Sequence, residues 1–432
     1  MRCVRSVKGA LCISSAAAVL SLASPVLAGG FEIREQSAYF QGTSFAGAAA
    51  GGQSLSSVFW NPAASAYVGY GLTTDSNLSV IFARSEIDVT GIGAKGANLG
   101  GCAVFACSVD IGGEALVPAS YLAWRYDSRT VFALALNSQF GSTTKPDDPH
   151  WLGAPYTRTS KLFSINANPS VSYEVVPGIS VGAGLQVQFL DLVALRSAAG
   201  PPLAPSATLE GDGTGIGLTA GINFRPNPGT SIGLGYRSSV RHNIEGSFSV
   251  PGAPTTAVEA NVDTPDKVTL SFTQALAPNV RLLGTVDWDN WSKLGVVRVT
   301  PTTPAGNVKL DFQWHDGWLF ALGGEWDINP QLTLRAGAAY EISPIQNPSE
   351  RLVQLPDADR VWLSVGGSYK LSEATSLNVG YSHIFVDDAT LQRSNATGTA
   401  PTLFADTSAS GDIVSVGLTM KWGGPPSPAP LK

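Results

Sequence analysis

Apolar and polar residues alternate with a period of two along most of the chain. From Ile179 to Phe189 one face carries Ile, Val, Ala, Leu, Val and Phe, whereas the other carries Ser, Gly and Gln. The stretch from Val414 to Trp422 repeats this pattern. Because successive side chains of a strand point to opposite faces, the alternation predicts β-strands. Many runs exceed the length usual in soluble sheets, and the polar face is small throughout, which favours a barrel with a lipid-facing exterior.

The connections between these runs indicate how the strands are joined. Short turns rich in Pro, Asn, Asp and Gly lie at 126–129, 175–178, 225–229, 277–279, 327–331 and 371–374. Longer connections lie near 91–113, 144–158, 196–212, 247–257, 300–306, 344–358 and 392–408. Six short turns and seven long connections join fourteen strands, an even number with both ends on one side. Bacterial outer-membrane barrels have this asymmetry. The sequence therefore predicts an all-β fold, a 14-stranded antiparallel transmembrane barrel over residues 68–422.

Residues 1–28 have the pattern of a Sec signal peptide. A basic start precedes an apolar run from Ala10 to Leu22, and Val26-Leu27-Ala28 supplies a small residue at the cleavage site. Residues 29–67 are rich in Ala, Gly and Ser and lack a clear strand pattern. Since the lumen of such a barrel is too wide for its own wall side chains to fill, we expect this segment to form a plug, or hatch, of short helices. The Pro-rich tail, 423–432, cannot extend a β-ladder and is expected to be disordered.

Composition narrows the function. Charged residues make up 14% of the chain and the net charge is −6, which argues against a nucleic-acid partner. Cys102 and Cys107 lie in a Gly-rich connection and are expected to form a local disulfide in an oxidising compartment. With no His or further Cys near them, a metal site is not predicted, and no cofactor is expected. The four histidines form no recognisable catalytic pattern, so the chain is not expected to be an enzyme.

Several stretches carry a family resemblance. They are GGFEIREQSAYFQGTSFAGAAA followed by Asn61-Pro62-Ala63, TSKLFSINANPSVSYEV, GLGYRSSVRHNIEGSF and DGWLFALGGEWDINPQLTLRAGAAYEISPI. In this order the chain resembles the outer-membrane long-chain fatty acid and aromatic-hydrocarbon transporters of the FadL/TodX type. The resemblance implies a monomeric barrel in bacterial outer-membrane lipid and lipopolysaccharide, with periplasmic termini. It also implies passive, ligand-gated uptake of hydrophobic small molecules, with lateral release at a kink in strand 3. A general diffusion porin is the main alternative, and an outer-membrane lipid-acting enzyme a minor one.

The resemblance also suggests functional residues. The hatch and its gating are assigned to Phe59, Trp60, Asn61, Pro62 and Ala63. The lateral opening is assigned to Asn137, Gln139, Phe140 and Gly141. Many relatives have Pro just before that Phe-Gly pair, whereas this chain has Gln139. The proline-based reason for a kink is therefore lost, although Gly141 still permits one.

Two departures from the family pattern bear on the substrate. Ala154 stands where fatty-acid-transporting relatives have an Arg, with Arg158 as a substitute four residues later, and His315 stands where a Lys is expected. An unpaired carboxylate in an apolar pocket is costly, so this pattern shifts the balance toward neutral hydrocarbons, with fatty acids still open. Phe31 is expected to reach the luminal site.

Two further groups of side chains have plainer interpretations. Trp288, Trp291, Trp314, Trp318 and Trp326 are interpreted as interface-girdle residues. Arg237 and Arg241 are interpreted as luminal charges paired with acidic wall residues such as Glu245.

Overall fold

The computed structural model describes residues 30–423 except 53, 97–99, 302–307 and 395–400. The predicted signal peptide and, apart from Gly423, the predicted Pro-rich tail lie outside the described residues. None of the helices in the described part of the chain has the length and apolar character needed to span a membrane.

Fourteen antiparallel strands close into a single barrel. Strands 1 to 7 comprise Gly71–Ile92; Ser108–Asp110 with Gly113–Arg125; Thr130–Asn137 with Gly141–Thr144; Thr159–Val176; Ile179–Ala198; Ser206–Asn227; and Thr230–Arg237 with Arg241–Ser249. Strands 8 to 14 comprise Thr256–Asp263 with Lys267–Ala277; Val280–Asp289 with Val296–Pro301; Val308–Asp311 with Gly317–Asp327; Leu332–Ile342; Arg360–Ser372; Thr375–Val386 with Ala389–Arg393; and Leu403–Trp422. Strand 1 pairs with strand 14 from Leu72 opposite Trp422 to Ile92 opposite Leu403, which closes the barrel. The predicted fold class is confirmed.

Strand ends differ from the sequence prediction mainly at the long-loop end. Strand 6 begins at Ser206 rather than near 213, and strand 14 begins at Leu403 rather than near 409. At this end the strands extend beyond the membrane, so no lipid contacts their outer face. Both faces therefore accept polar residues, and the alternation that marks a strand disappears. The six predicted short turns lie together at the other end of the barrel.

The two faces of the wall follow the predicted alternation. On strand 5, Val181 and Leu185 are 39% and 40% exposed on the outer face. Ser180, Gln186 and Gln188 on the same strand are fully buried on the inner face. An apolar outer belt and a polar inner face are the pattern expected for a barrel surrounded by lipid.

The plug, residues 30–67, fills the lumen. Its one short α-helix, Ala38–Gln41, packs on strands 12, 13 and 14. The 3-10 helix Ala48–Ala50 packs on strands 7 and 8, Leu55–Phe59 on strands 1 to 3, and Pro62–Tyr67 on strands 4 to 6. Almost every plug residue is buried as a result. The plug therefore touches the wall nearly all the way round.

Glycines on the inner wall allow this close packing. A Cβ atom at Gly235 would overlap the Trp60 carbonyl, and one at Gly221 would overlap the Asn61 side chain. A Cβ atom at Gly233 would likewise overlap the Ala49 carbonyl oxygen. The plug backbone thus lies directly on bare strand backbone, which only glycine allows.

Candidate functional site: the plug, the strand 3 break and an apolar cavity

Asn61 joins two parts of the plug to the barrel wall. It caps the 3-10 helix Pro62–Tyr67, and its Oδ1 atom accepts a hydrogen bond from the Ala63 amide at 3.0 Å. Its Nδ2 atom donates to the Ala49 carbonyl at 2.9 Å and to the Ile222 carbonyl of strand 6 at 3.0 Å. Pro62 occupies the first helical position, where the missing amide hydrogen costs nothing. Because all three bonds depend on one buried amide, we call Asn61 with Pro62 and Ala63 the latch.

The two aromatic residues before the latch lie in the core of the plug. The Trp60 ring lies 5.0 Å from that of Phe59, 5.7 Å from that of Phe40 and 6.0 Å from that of Phe45. The Phe59 carbonyl accepts a hydrogen bond from Arg237 on strand 7 at 2.8 Å. These contacts fix the path of the chain into the latch.

Strand 3 is interrupted between its two segments, after Asn137 and before Gly141. It pairs with strand 4 on both sides of this break, at Asn137 opposite Asn166 and at Gly141 opposite Phe163, which implies one extra residue in strand 3. On its other side strand 3 pairs with strand 2 only as far as Leu136 opposite Ser120. Within the described residues, strand 2 from Gly113 to Ala119 has no strand partner on that side, so the ladder between strands 2 and 3 is interrupted beside the break.

The N-terminal end of the plug takes the place of the missing strand partner. The Ile33 amide donates to the Gln139 carbonyl at 2.8 Å, and the Gly141 amide donates to the Phe31 carbonyl at 2.9 Å. A Cβ atom at Gly141 would lie 2.8 Å from the end of the Ile33 side chain, so a larger residue here would displace that side chain. The bend therefore occurs without a proline, because its backbone is satisfied by the plug rather than by strand 2.

Pro118 lies on the edge of strand 2 that faces the break. It lies in the unpaired stretch of strand 2, opposite Leu78 of strand 1. Proline has no amide hydrogen, and in sheets it is confined to edges and bulges for that reason. A proline within an otherwise apolar run was the sequence signal for this edge, and the sequence-based prediction did not include it.

An apolar cavity of about 170 Å³ lies between the strand 3 break and the long loops. Its apolar lining includes Phe31, Leu162, Leu190, Leu192, Ile244, Val262, Leu294, Val297 and Phe312. Glu210 is the one ionisable residue among the described residues that line it, and no Lys, Arg or His is among them. The Phe31 ring lies 4.7 Å from that of Trp291 and 5.7 Å from that of Phe140, so one plug residue contacts both the cavity and the break.

The family model described as outer membrane protein transport protein (OMPP1/FadL/TodX) matches residues 19–422. The chain belongs to this family. Among its relatives, outer membrane protein P1 of Haemophilus influenzae is 24% identical over 419 residues, covering 85% of this chain and 88% of the relative. The long-chain fatty acid transport protein of Salmonella typhi is 24% identical over 404 residues, covering 85% of this chain and 90% of the relative. Membership of the FadL/TodX family places the barrel in the outer membrane and makes it a transport protein.

Solved structures of the FadL/TodX family share the fold. A FadL homologue of Pseudomonas aeruginosa has a TM-score of 0.80 at 21% identity, covering 91% of this chain and 100% of the homologue. The toluene transporter TodX of Pseudomonas putida has a TM-score of 0.67 at 15% identity, covering 90% and 99% of the two chains. The Haemophilus influenzae relative is described as an outer-membrane protein, and the Salmonella typhi and Pseudomonas putida relatives are described as transporters rather than as enzymes.

Three residues singled out by resemblance to the FadL/TodX family are not among the described residues that line the apolar cavity. Ala154 is fully buried in a cluster under the long loops, and Arg158 donates to the Pro149 carbonyl at 3.1 Å and to the Ser206 hydroxyl at 2.8 Å. His315 is half exposed, with its Nε2 atom 3.6 Å from a Glu350 oxygen. Phe31, in contrast, lines the cavity.

The long connection between strands 1 and 2 contains the predicted cysteine pair. In the structure a disulfide joins Cys102 and Cys107.

Two of the predicted girdle tryptophans are luminal, and the sequence-based interpretation of these two was wrong. Trp291 and Trp314 are 1% and 4% exposed, and their rings lie 5.4 Å apart beside Phe31. Trp318 and Trp326 are exposed on the outer face, as girdle residues are. The available signal was the irregular stretch after Asp289, where the period of two ends.

A buried charge network, which the sequence-based prediction missed, anchors the N-terminal end of the plug. Arg34 donates to Asp287 at 3.0 Å, to Asp289 at 2.9 Å and to Glu341 at 3.0 Å. Lys267 donates to Asp289 at 2.8 Å and to Glu32 at 3.2 Å. The charged FEIREQ segment in an otherwise small and apolar plug was the sequence signal for this anchor.

Glu35, beside this network, is fully buried, and neither of its carboxylate oxygens has a hydrogen-bond partner among the described residues. Burial raises the pKa of Glu35 to about 7. The carboxyl is therefore set to bind or release a proton near neutral pH.

Proposed function

We propose that this protein carries neutral hydrophobic small molecules across the outer membrane by a passive, ligand-gated route, with lateral release beside strand 3. The observation that carries the proposal is the position of Phe31. Its ring lines the apolar cavity, and its carbonyl accepts the hydrogen bond from Gly141 at the strand 3 break. A ligand that fills the cavity therefore contacts Phe31, the residue whose backbone bonds to the strand 3 break.

The cavity favours a neutral substrate about the size of one aromatic ring. An engineered apolar cavity of about 150 Å³ binds benzene, and the cavity here is of similar volume, about 170 Å³. A carboxylate in it would meet no cation among the described lining residues and would lie near the acidic Glu210. Burying an unpaired charge costs several kcal/mol, roughly, so a fatty acid is the less favoured ligand.

The names of the relatives support both substrate classes. Two structural relatives are described as the toluene transporter TodX and as the CymD monoaromatic hydrocarbon channel, whereas sequence relatives are described as long-chain fatty acid transport proteins. The predominantly apolar lining of the cavity, which has no Lys, Arg or His among its described residues, supports the hydrocarbon class.

Transport in this proposal needs no energy source. The free energy of an apolar molecule falls by about 0.8 kcal/mol per CH₂ group when it leaves water for an apolar pocket or for the acyl chains of the membrane. A single barrel, surrounded by lipid and lipopolysaccharide, provides the cavity, the break and the opening. The plug distinguishes this route from that of a general diffusion porin.

Ligand binding tests the substrate class. Toluene and laurate are titrated into the purified barrel while the intrinsic tryptophan fluorescence is recorded, to which Trp291 and Trp314 contribute from their positions against the cavity residue Phe31. Toluene is expected to bind, and laurate at least tenfold more weakly. In Glu210→Gln, laurate binding is expected to improve while toluene binding is unchanged. Laurate binding as tight as that of toluene in the wild type would overturn the neutral-substrate proposal.

Deletion of Ser138 tests lateral release. The register between strands 3 and 4 shifts by one residue across the break, so this deletion restores a continuous ladder. Toluene uptake into vesicles is expected to fall to background, while Ser138→Ala, which keeps the chain length, retains it. If the deletion variant folds and transports normally, release does not use this opening. High ion conductance of the wild type in planar bilayers would favour the porin alternative.

A further inference from the structure

Arg237 is a buried arginine with neutral partners. It is 1% exposed and is the last residue of the first segment of strand 7. Its Nη1 atom donates to the Phe59 carbonyl at 2.8 Å, and its Nη2 atom donates to the Gln139 side chain at 3.2 Å and to the Gln186 side chain at 2.5 Å. The guanidinium also lies 4.4 Å above the Phe59 ring.

The predicted pairing of Arg237 with an acidic residue such as Glu245 is wrong. No carboxylate in the part of the chain that the structure describes forms an ion pair with Arg237, and its Nε atom has no hydrogen-bond partner there. Arg241 is exposed and pairs instead with Asp263 at 2.8 Å. A buried charge without an opposite charge destabilises the fold, so an apolar side chain of similar size would be easier to accommodate at position 237.

Arg237 joins three separate elements at one point. Phe59 lies two residues before the latch, Gln139 lies within the strand 3 break, and Gln186 belongs to strand 5. A guanidinium has donors in a fixed planar fork, so a shift of one acceptor changes the bonds to the others. A lysine offers a single ammonium and does not reproduce this bridge.

We propose that Arg237 is a positioning residue that couples the plug latch to the strand 3 break. Movement of the latch displaces the Phe59 carbonyl, the guanidinium follows it, and the Gln139 side chain loses its bond to Arg237 and keeps only the longer one from Gln188. The inference rests on the proposed function, because it gives the plug a means of controlling the opening that the proposal uses. It predicts a coupling free energy between the latch and the strand 3 break, two sites whose side chains are joined by Arg237.

Two single-cysteine reporters measure this coupling without any substrate. Ser57→Cys reports on the plug, since Ser57 is 1% exposed and its hydroxyl has no hydrogen-bond partner among the described residues. Ser138→Cys reports on the break. Cys102 and Cys107 form a disulfide, so each reporter is the one free thiol in the described chain. The rate of reaction with a maleimide is recorded for each reporter with and without Asn61→Ala, which loosens the latch.

With Arg237 present, Asn61→Ala is expected to speed labelling of both reporters by at least tenfold. With Arg237→Met, Asn61→Ala is expected to speed labelling of Ser57→Cys only. Arg237→Lys is expected to behave like Arg237→Met. In a second variant that keeps the arginine, Gln139→Ala removes its acceptor at the break and is expected to abolish the same coupling.

Arg125→Met is the matched control. Arg125 also donates to the Ala66 carbonyl of the plug and to the Val68 carbonyl just after it, but within the described residues no hydrogen bond joins it to the strand 3 break. In this background Asn61→Ala is expected to speed labelling of both reporters, as in the wild type.

The proposal is overturned if Asn61→Ala speeds Ser138→Cys labelling by the same factor with and without Arg237. The link from Gln36 to the Ser138 carbonyl, at 2.7 Å, would then carry the coupling instead. Toluene binding by the same variants separates the two proposals. An absence of toluene binding in the wild type would refute the proposed function, whereas the thiol rates do not depend on ligand.

Discussion

Replacing Asn61 by alanine should loosen the plug and leave the barrel folded. The substitution removes the bond to the Ala63 amide and the two bonds to the Ala49 and Ile222 carbonyls. Asn61 is fully buried, so water does not replace these partners unless the plug moves. Each lost bond between neutral groups costs about 1 kcal/mol, which gives about 3 kcal/mol in total. The loss of the helix cap is contained in this sum, because the cap is the Ala63 bond.

A destabilisation of about 3 kcal/mol corresponds to roughly a hundredfold rise in the population of the open plug. The maleimide reaction of Ser57→Cys in the folded barrel measures this population, because the thiol reacts only when the plug opens. We expect labelling about a hundredfold faster in Asn61→Ala. Retention of strand content by circular dichroism checks that the barrel remains folded.

Asn168→Ala is the control for truncation of a buried inner-face asparagine. Its Nδ2 atom donates to the Leu185 carbonyl at 2.8 Å and to the Thr219 hydroxyl at 3.3 Å, both on the wall and neither in the plug. We expect it to leave the Ser57→Cys labelling rate unchanged. Equal labelling rates in Asn61→Ala and the wild type would refute the latch. A similar acceleration by Asn168→Ala would mean that the barrel wall, rather than the latch, had been weakened.

Three further predictions follow from the plug. Burial raises the pKa of Glu35 from 4.5 to about 7. Between pH 4.5 and pH 7 the carboxyl is therefore protonated when the plug is docked in the lumen and ionised when the plug has moved out. Docking should therefore weaken by about 3 kcal/mol as the pH rises from about 4.5 to about 7 and change little above that, as measured by hydrogen exchange of plug amides corrected for intrinsic rates. Glu35→Gln should remove this contribution and leave that of Glu32 in the same plug, whose pKa burial also raises to about 7. Phe31→Ala removes the aromatic floor of the cavity and should weaken toluene binding about tenfold in the fluorescence titration. Gly221→Ala places a methyl group on the Asn61 side chain and should speed Ser57→Cys labelling, whereas Gly324→Ala should not.

Burial is the largest cause of the raised pKa of Glu35, and the charges that face the carboxyl adjust the size of the pH effect. Glu341 favours the protonated carboxyl, Arg34 favours the ionised form, and Arg360 interacts with it from strand 12. A stability of docking that is independent of pH in the wild type would contradict the assignment of a titrating carboxyl in the plug.

The barrel could be predicted because a membrane constrains the local sequence. A strand that crosses lipid must alternate apolar and polar residues, and its connections differ in length on the two sides of the membrane. The number of strands and the closure of the barrel can therefore be predicted without any contact information. Outside the lipid this constraint ends, and the beginning of strand 6 at Ser206 was missed for that reason. The position of the strand 3 break was predicted by resemblance, but its cause was not.

That cause is non-local. The residues that pair with Gln139 and Gly141 are Phe31 and Ile33, more than a hundred positions earlier in the chain. No local pattern reveals such a partner. The same holds for Arg237, whose acceptors Phe59 and Gln139 come from two distant segments, and whose spacing suggested only an ordinary luminal charge.

Contact of the plug with both strands that close the barrel has a consequence for the seam between them. The Ala38 amide donates to the Asn77 side chain of strand 1 at 2.9 Å, and the Ala38 methyl group packs near Gly417 of strand 14. The plug precedes every strand in the chain and contacts both strands of the seam. The seam between strands 1 and 14 is therefore held from inside the lumen as well as by its own ladder, so loss of the plug removes contacts from the place where the two ends of the sheet meet.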